Sequence, residues 1–209
     1  MTNFEAILFD LGGVILDIDY NKTISAFKNL GFHDVENWYL GYSQQDFFND
    51  FETGLIQEEE FMSKLSLHCP GRNSEQILSA WNAMLGKIPP ERVALLKKLK
   101  RICPVFLFSN TNTIHSRQFE VTFYQKYGFP LAELFHKVFY SFQLGLRKPD
   151  TAAFLTVAQY AGIQPERTLF VDDNPENICG AQKSGFQTIY VQGNRLAEFW
   201  NFILNWVGN

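Results

Sequence analysis

Three short apolar runs in this 209-residue chain each stop at polar residues. Residues 6–9 stop at Asp10, residues 105–108 at Ser109 and Asn110, and residues 169–171 at Asp172 and Asp173. A fourth run, 188–191, follows Gly185, and residues 138–140 add a fifth. The runs are continuous and lack the alternation of a half-solvated strand. They predict strands buried on both faces, hence an open parallel sheet covered by helices. Helical patterns lie between them. Residues 92–100 carry Val93, Leu95, Leu96 and Leu99 on one face, with Lys97, Lys98, Lys100 and Arg101 late, where cations complement the helix dipole. Residues 154–161 and 176–184 run into Gly162 and Gly185, both suited to end a helix. Strand and helix alternate from about Pro89 onward, which assigns the chain to the α/β class.

Residues 16–88 differ. They contain no β-like run and several amphipathic segments: 23–30, 44–52, 58–67 and 74–84. This stretch begins after the first strand and ends at Pro89–Pro90. It predicts a small helical cap, 16–88, inserted into a core made of 1–15 and 89–209. The run Glu58-Glu59-Glu60 suits a solvated first helical turn. The cap aromatics Trp38, Tyr39, Tyr42, Phe47, Phe48, Phe51 and Trp81 have spacings that mostly serve helix packing. Residues 196–207, with Phe199, Trp200, Phe202, Ile203 and Trp206, predict a helix packed on the sheet. Monomer and dimer are both compatible with it.

Charge and composition exclude whole classes. With 18 basic against 22 acidic residues the net charge is -4, which argues against nucleic acid as a partner. Hydrophobic residues at 46% and charged ones at 19% exclude disorder. Cys69, Cys103 and Cys179 share no metal or redox spacing and suit a reducing compartment. The first ten residues lack the basic start of a signal peptide, and no run approaches the ~18 apolar residues of a membrane helix. The expectation is a soluble cytoplasmic protein without a membrane partner. His33, His68, His115 and His136 are scattered and read as solvated or core histidines.

In open α/β sheets, ligands bind beyond the carboxyl ends of the strands. Here those ends carry Asp10, Ser109 with Asn110, and Asp172 with Asp173. Any one of them has an ordinary explanation, since an Asp after a strand commonly caps a helix or stabilises a turn. Three such ends on one sheet edge would crowd three carboxylates, which raise each other's pKa unless a cation sits among them. Hard oxygen donors in that number suit Mg²⁺, which also binds substrate phosphate. Lys148, in the Gly-Leu-Arg-Lys-Pro-Asp stretch 145–150, adds a point charge able to hold phosphate and aspartate together. Gly12-Gly13 lacks the later glycine of a dinucleotide turn. Asp17-x-Asp19-x-Asn21 fails as a calcium loop, because Lys22 and Lys28 occupy the required Gly and Glu positions.

Four motifs in this order resemble those of the haloacid dehalogenase-like (HAD) hydrolase superfamily: Phe-Asp-Leu-Gly-Gly-Val at 9–14, Phe-Leu-Phe-Ser-Asn at 106–110, the 145–150 stretch, and Phe-Val-Asp-Asp-Asn-Pro-Glu-Asn at 170–177. The resemblance covers nearly the whole chain, cap included. It implies a Rossmann-like core and hydrolysis of a small phosphorylated metabolite through an aspartyl phosphate. Asp10 would be the nucleophile. Ser109 and the backbone of Asn110 would bind the phosphoryl group, and Lys148 would stabilise its charge. Asp10, the carbonyl of Gly12, and Asp173 would hold Mg²⁺, with Asp172 a further ligand or a support behind it. In one respect the chain departs from the family: many members carry a second Asp, a general acid and base, where Gly12 stands. Loss of such a group typically costs ~10²–10⁴ in rate. Three readings follow: a substrate with an easier leaving group, a proton from Asp17, Asp19 or a cap residue, or a catalytically silent phospho-ligand or partner-binding module. Sugar-phosphate phosphatases that act on α-glucose 1-phosphate are a similar subgroup and also carry Gly there. Dehalogenation has no use for the paired acids Asp172 and Asp173.

Overall fold

The computed structural model describes residues 4–40 and 45–208. Five strands form a single parallel sheet: β1 (Ala6–Phe9), β2 (Val105–Ser109), β3 (Lys137–Tyr140), β4 (Thr168–Asp172) and β5 (Gln187–Tyr190). Their order is β3-β2-β1-β4-β5. After β1 the chain builds outward through β2 and β3, then crosses to the other side of β1 for β4 and β5. Such a reversal leaves a crevice at the strands' carboxyl ends. Phe9 is level with Leu107 on one side and Val171 on the other, so three polar ends meet at that crevice.

The continuous apolar runs are explained by two cores. Ile7, Phe9, Val105, Leu107, Leu169 and Val171 point to one face. There they pack against helices α6 (Pro90–Ile102), α7 (Thr113–Tyr127) and α11 (Asn194–Gly208). The alternate residues Leu8, Phe106, Phe108 and Phe170 point to the other face, against α9 (Thr151–Ala161) and α10 (Pro175–Lys183). The remaining helix of this part, α8 (Ser141–Leu144), is a single turn after β3. Each fully buried Phe or Leu contributes about 1.5–3 kcal/mol, so both faces of the sheet are strongly held.

Among the described residues between β1 and α6 lie five helices: α1 (Tyr20–Asn29), α2 (Val35–Leu40), α3 (Gln45–Glu52), α4 (Glu58–Leu67) and α5 (Ser74–Asn82). They bury their own apolar cluster, with Phe27, Phe51, Phe61, Leu65 and Trp81 at its centre and Ile114 of α7 joining from below. Phe61 stacks on Phe51 at 4.0 Å and on Phe47 at 5.0 Å. Much of the Phe excess is therefore packing in two separate places. Asp19 caps α1, and Asn73 with Gln76 forms a capping box on α5. The chain enters and leaves this segment side by side: the backbone amides of Asp17 and Asp19 donate to the carbonyls of Lys87 and Met84.

Besides the single turn of α8, two helices were not anticipated by periodicity. The buried face of α7 mixes His115 and Ser116 with Ile114, Phe119 and Phe123, which blurs its apolar stripe. The other, α2, spans only six residues. The expected helix start at Gln44, the residue Tyr42 and the side chains of Trp38, Tyr39 and Trp206 lie outside the described residues.

Candidate active site

The crevice is built from strand ends. The Asp10 amide donates to the carbonyl of Val171, continuing the ladder one residue past β1. Ser109 closes β2 and Asp172 closes β4, both buried, and Asp173 follows half-buried. Lys148, only 1% exposed, comes in from the loop between α8 and α9. Its Nζ donates to Asp10 Oδ1 at 2.6 Å and to Asp172 Oδ2 at 2.7 Å. Below it lie the rings of Phe108 and Phe170, with centroids 5.3 and 5.4 Å away, within range of a cation–π attraction. Asn110 fixes the loop by its side chain: Nδ2 donates to the carbonyl of Lys148 and Oδ1 accepts from its amide. Gly180 of α10 admits the loop from the other side, since a Cβ there would lie 2.1 Å from the carbonyl oxygen of Pro149.

Asp10, Asp172 and Asp173 offer carboxylate oxygens within 4.8 Å of one another. Burial raises the Asp10 pKa to about 7; Lys148 opposes the rise, and Asp172 and Asp173 add to it. Burial and the charge of Asp172 raise Asp173 to about 6, against the pull of Lys148. Burial works against the charge on Lys148, but Asp10 and Asp172 outweigh it and hold its pKa above the ordinary lysine value. Three carboxylates against one ammonium leave a surplus of negative charge in a buried place, and the all-oxygen donor set fits a divalent hard cation. Asp172 is already occupied. It accepts from the Asn174 amide, from Asn177 Nδ2 on both oxygens, and from Lys148. Asp10 and Asp173 could therefore be the direct ligands, with Asp172 bracing Lys148. Gly13 makes room for this: its φ is +73°, and a Cβ would fall 1.9 Å from Asp173 Oδ2.

These residues line a cavity of about 450 Å³, on the scale of a small metabolite. Asp10, Gly12, Ser109, Asn110, Lys148 and Asp173 form its floor. The helical segment supplies much of the wall, with Tyr20 of α1, Phe48, Asn49 and Glu52 of α3, and Trp81 of α5. Arg147 reaches across from the Lys148 loop, and its Nε and Nη2 both donate to Glu52 Oε2. His115 stacks on Trp81 at 4.8 Å, and its Nε2 lies 3.2 Å from the Trp81 carbonyl. Burial lowers the His115 pKa to about 4, so the ring is neutral near pH 7. Tyr20 lines the cavity although it is more than half exposed as a residue, and partial burial together with the charges of Asp173, Asp10 and Glu52 raises its pKa above the ordinary tyrosine range, so the hydroxyl stays protonated.

Asp17 and Asp19, considered above as alternative proton donors, are engaged elsewhere. Asp17 pairs with Arg92 at 2.8 Å and Asp19 caps α1. Neither lines the cavity. Several cavity residues escaped the sequence reading: Asn177 as a brace, Arg147 and Glu52 as a pair, and His115 and Tyr20 as wall. Only Asn177 carried a signal, its place one turn into the helix after Asp172.

A haloacid dehalogenase-like hydrolase family model matches residues 4–185. The D-ribitol-5-phosphate phosphatase of Bacteroides thetaiotaomicron is 33% identical over 184 residues, covering 87% of this chain and 89% of that protein. A HAD family enzyme from the same organism, solved with magnesium and inorganic phosphate, is 32% identical with a TM-score of 0.79, over 90% of this chain and 94% of that one. A predicted HAD-like family hydrolase from Porphyromonas gingivalis superposes with a TM-score of 0.85 at 31% identity, over 96% and 98% of the two chains. A 2-haloacid dehalogenase from Pseudomonas syringae, 18% identical with a TM-score of 0.60, shares the fold alone. With its strand-end carboxylates, its buried lysine and this agreement along the chain, the protein belongs to the haloacid dehalogenase-like hydrolase family.

Proposed function

We propose that the protein is a Mg²⁺-dependent phosphatase acting on a small sugar or polyol phosphate. The observation that carries this is Lys148 Nζ bridging Asp10 and Asp172, with Asp173 close by, at the floor of a metabolite-sized cavity. Asp10 is the nucleophile: one carboxylate oxygen bonds to phosphorus as the ester P–O bond breaks, and the leaving oxygen takes a proton. Water then attacks the phosphoryl-aspartate, breaking the bond to Asp10 and releasing inorganic phosphate. Lys148 holds Asp10 in place and neutralises charge on the phosphoryl oxygens. Ser109 donates to the transferred group, helped by the Asn110 backbone. Asp10, the Gly12 carbonyl and Asp173 are the proposed Mg²⁺ ligands, and Asp172 supports them through Lys148. The bound cation supplies charge neutralisation for the phosphate and the carboxylates. Residues 16–88 act as a cap on a core of 1–15 and 89–209, which their separate apolar cluster supports.

Within that class Gly12 favours an anomeric sugar phosphate over a polyol phosphate, because the anomeric oxygen needs less protonation as it leaves. A Cβ at Gly12 would lie 3.3 Å from Ile18 Cγ1, so an Asp can be introduced with a small shift. Gly12→Asp is expected to speed hydrolysis of alkyl phosphates more than of glucose 1-phosphate. An unchanged ranking contradicts the explanation. The broader reading is tested by phosphate release from p-nitrophenyl phosphate and a panel of sugar and polyol phosphates, with and without Mg²⁺. Metal-dependent turnover that vanishes in Asp10→Asn supports it. Phosphate binding with no turnover on any ester would instead favour a silent binding module.

A further inference from the structure

Arg147 is the cavity's second cation, and Glu52 of the helical segment consumes its charge. The Nε–H and an Nη2–H of Arg147 both meet one oxygen, Glu52 Oε2, at 3.0 and 2.8 Å, and Oε1 lies outside that contact. The pair is held, not incidental. Just after α3, Gly54 sits with φ +73° against α8, where a Cβ would be 2.6 Å from the Phe142 carbonyl oxygen. This close approach fixes the end of α3 over the loop that carries Arg147.

The charged groups lining the cavity are Asp10, Asp173, Glu52 and Glu176 against Arg147 and Lys148. Lys148 is bound to Asp10 and Asp172, and Arg147 to Glu52. The remaining basic ring, His115, is neutral near pH 7. A divalent cation at Asp10 and Asp173 would only offset the surplus of three carboxylates over Lys148, so the phosphate itself already draws on all the positive charge of the floor. That leaves no lining cation among the described residues for a second anionic group, and Glu52 and Glu176 add repulsion.

We propose that the Glu52–Arg147 pair sets substrate choice: it selects phosphate monoesters whose remaining part is neutral and hydroxyl-bearing, and rejects those carrying a carboxylate or second phosphate. Glu52 does this in two ways. Its second oxygen can accept a substrate hydroxyl, and its charge withholds Arg147 from any anion. The inference rests on the phosphatase reading above.

The test uses two near-isosteres, glycerol 3-phosphate and 3-phosphoglycerate, as competitors of p-nitrophenyl phosphate turnover in Mg²⁺. Inhibition reads binding, so the basicity of the leaving oxygen does not enter. For the wild type, glycerol 3-phosphate should inhibit at least about tenfold more tightly, as expected for like charges brought together. In Glu52→Gln, which keeps shape and frees the guanidinium, that ratio should fall about tenfold or invert, chiefly through tighter 3-phosphoglycerate binding. Arg147→Gln, which leaves Glu52 unpaired, should steepen the discrimination. A purely structural role would weaken both inhibitors alike in both variants. Equal inhibition by the two compounds in the wild type, or a ratio unmoved by Glu52→Gln, overturns the proposal while leaving phosphatase activity intact. Absence of turnover on any ester removes the phosphatase reading itself, and this proposal with it.

Discussion

Arg147 and Lys148 are consecutive, yet they meet opposite surroundings. Lys148 is shut in by strand ends, with two carboxylates and two aromatic rings around it and 1% of its surface exposed. Arg147 turns to the helical segment and pairs with a single Glu, both side chains being more than a quarter exposed. The first arrangement is costly to disturb because charge is buried without solvent to replace a partner. The second can change at little cost in stability. A fold that separates the two in this way can keep its chemistry constant on the sheet edge while the opposite wall varies.

The largest effect should come from breaking the buried side. Lys148→Met strands Asp10 and Asp172 without their cation. Loss of one partner of a buried ion pair typically costs about 3–5 kcal/mol, and urea unfolding should show it. Activity should fall to background even where the variant is folded.

His115 tests the contact between the two regions by pH. Its folded pKa of about 4 lies below the ordinary 6.5, so between those values the unfolded chain binds more protons. The stability it contributes is complete above pH 6.5 and is lost as the pH falls toward 4, on the order of 3 kcal/mol in all. The difference in unfolding free energy between wild type and His115→Gln, followed over that range, isolates the effect from the carboxylates. A flat difference would contradict the burial of a neutral ring.

Gly180→Ala attacks the Lys148 loop from behind, through the carbonyl of Pro149. Overpacking of this kind costs about 1–3 kcal/mol. Because the strain falls on the loop that aims Lys148, kcat should drop as well. The smallest stability change is expected for Arg147→Ala, about 1 kcal/mol or less for a partly exposed pair, seen as a shift in melting temperature of a few degrees at most. A large loss there, or a small one for Lys148→Met, would erase the contrast between the neighbours.

The same contrast divides what was readable beforehand. The floor of the site was readable because a strand buried on both faces is a continuous apolar run, and the polar residue ending it stands out: Asp10, Ser109 and Asp172 are found this way. Parallel pairing with level ends then brings them together. The wall was not readable. Glu52 and Arg147 are 95 residues apart, and nothing in local spacing joins them. His115 is hidden for a related reason, since its partner Trp81 comes from another helix and its polarity blurs the stripe that would have revealed α7. Asp17 and Asp19 misled in the other direction: close to Asp10 in sequence, they are spent on an ion pair and a helix cap.

The central claim, that Asp10 takes up the phosphoryl group, is tested most directly by trapping it. Enzyme mixed with Mg²⁺ and a turned-over phosphate ester is quenched within a turnover and reduced with borohydride, which converts a phosphoryl-aspartate to homoserine. Peptide mass mapping should then find homoserine at position 10, dependent on substrate. Modification at another residue, or full Mg²⁺-dependent turnover in Asp10→Asn, would contradict the account.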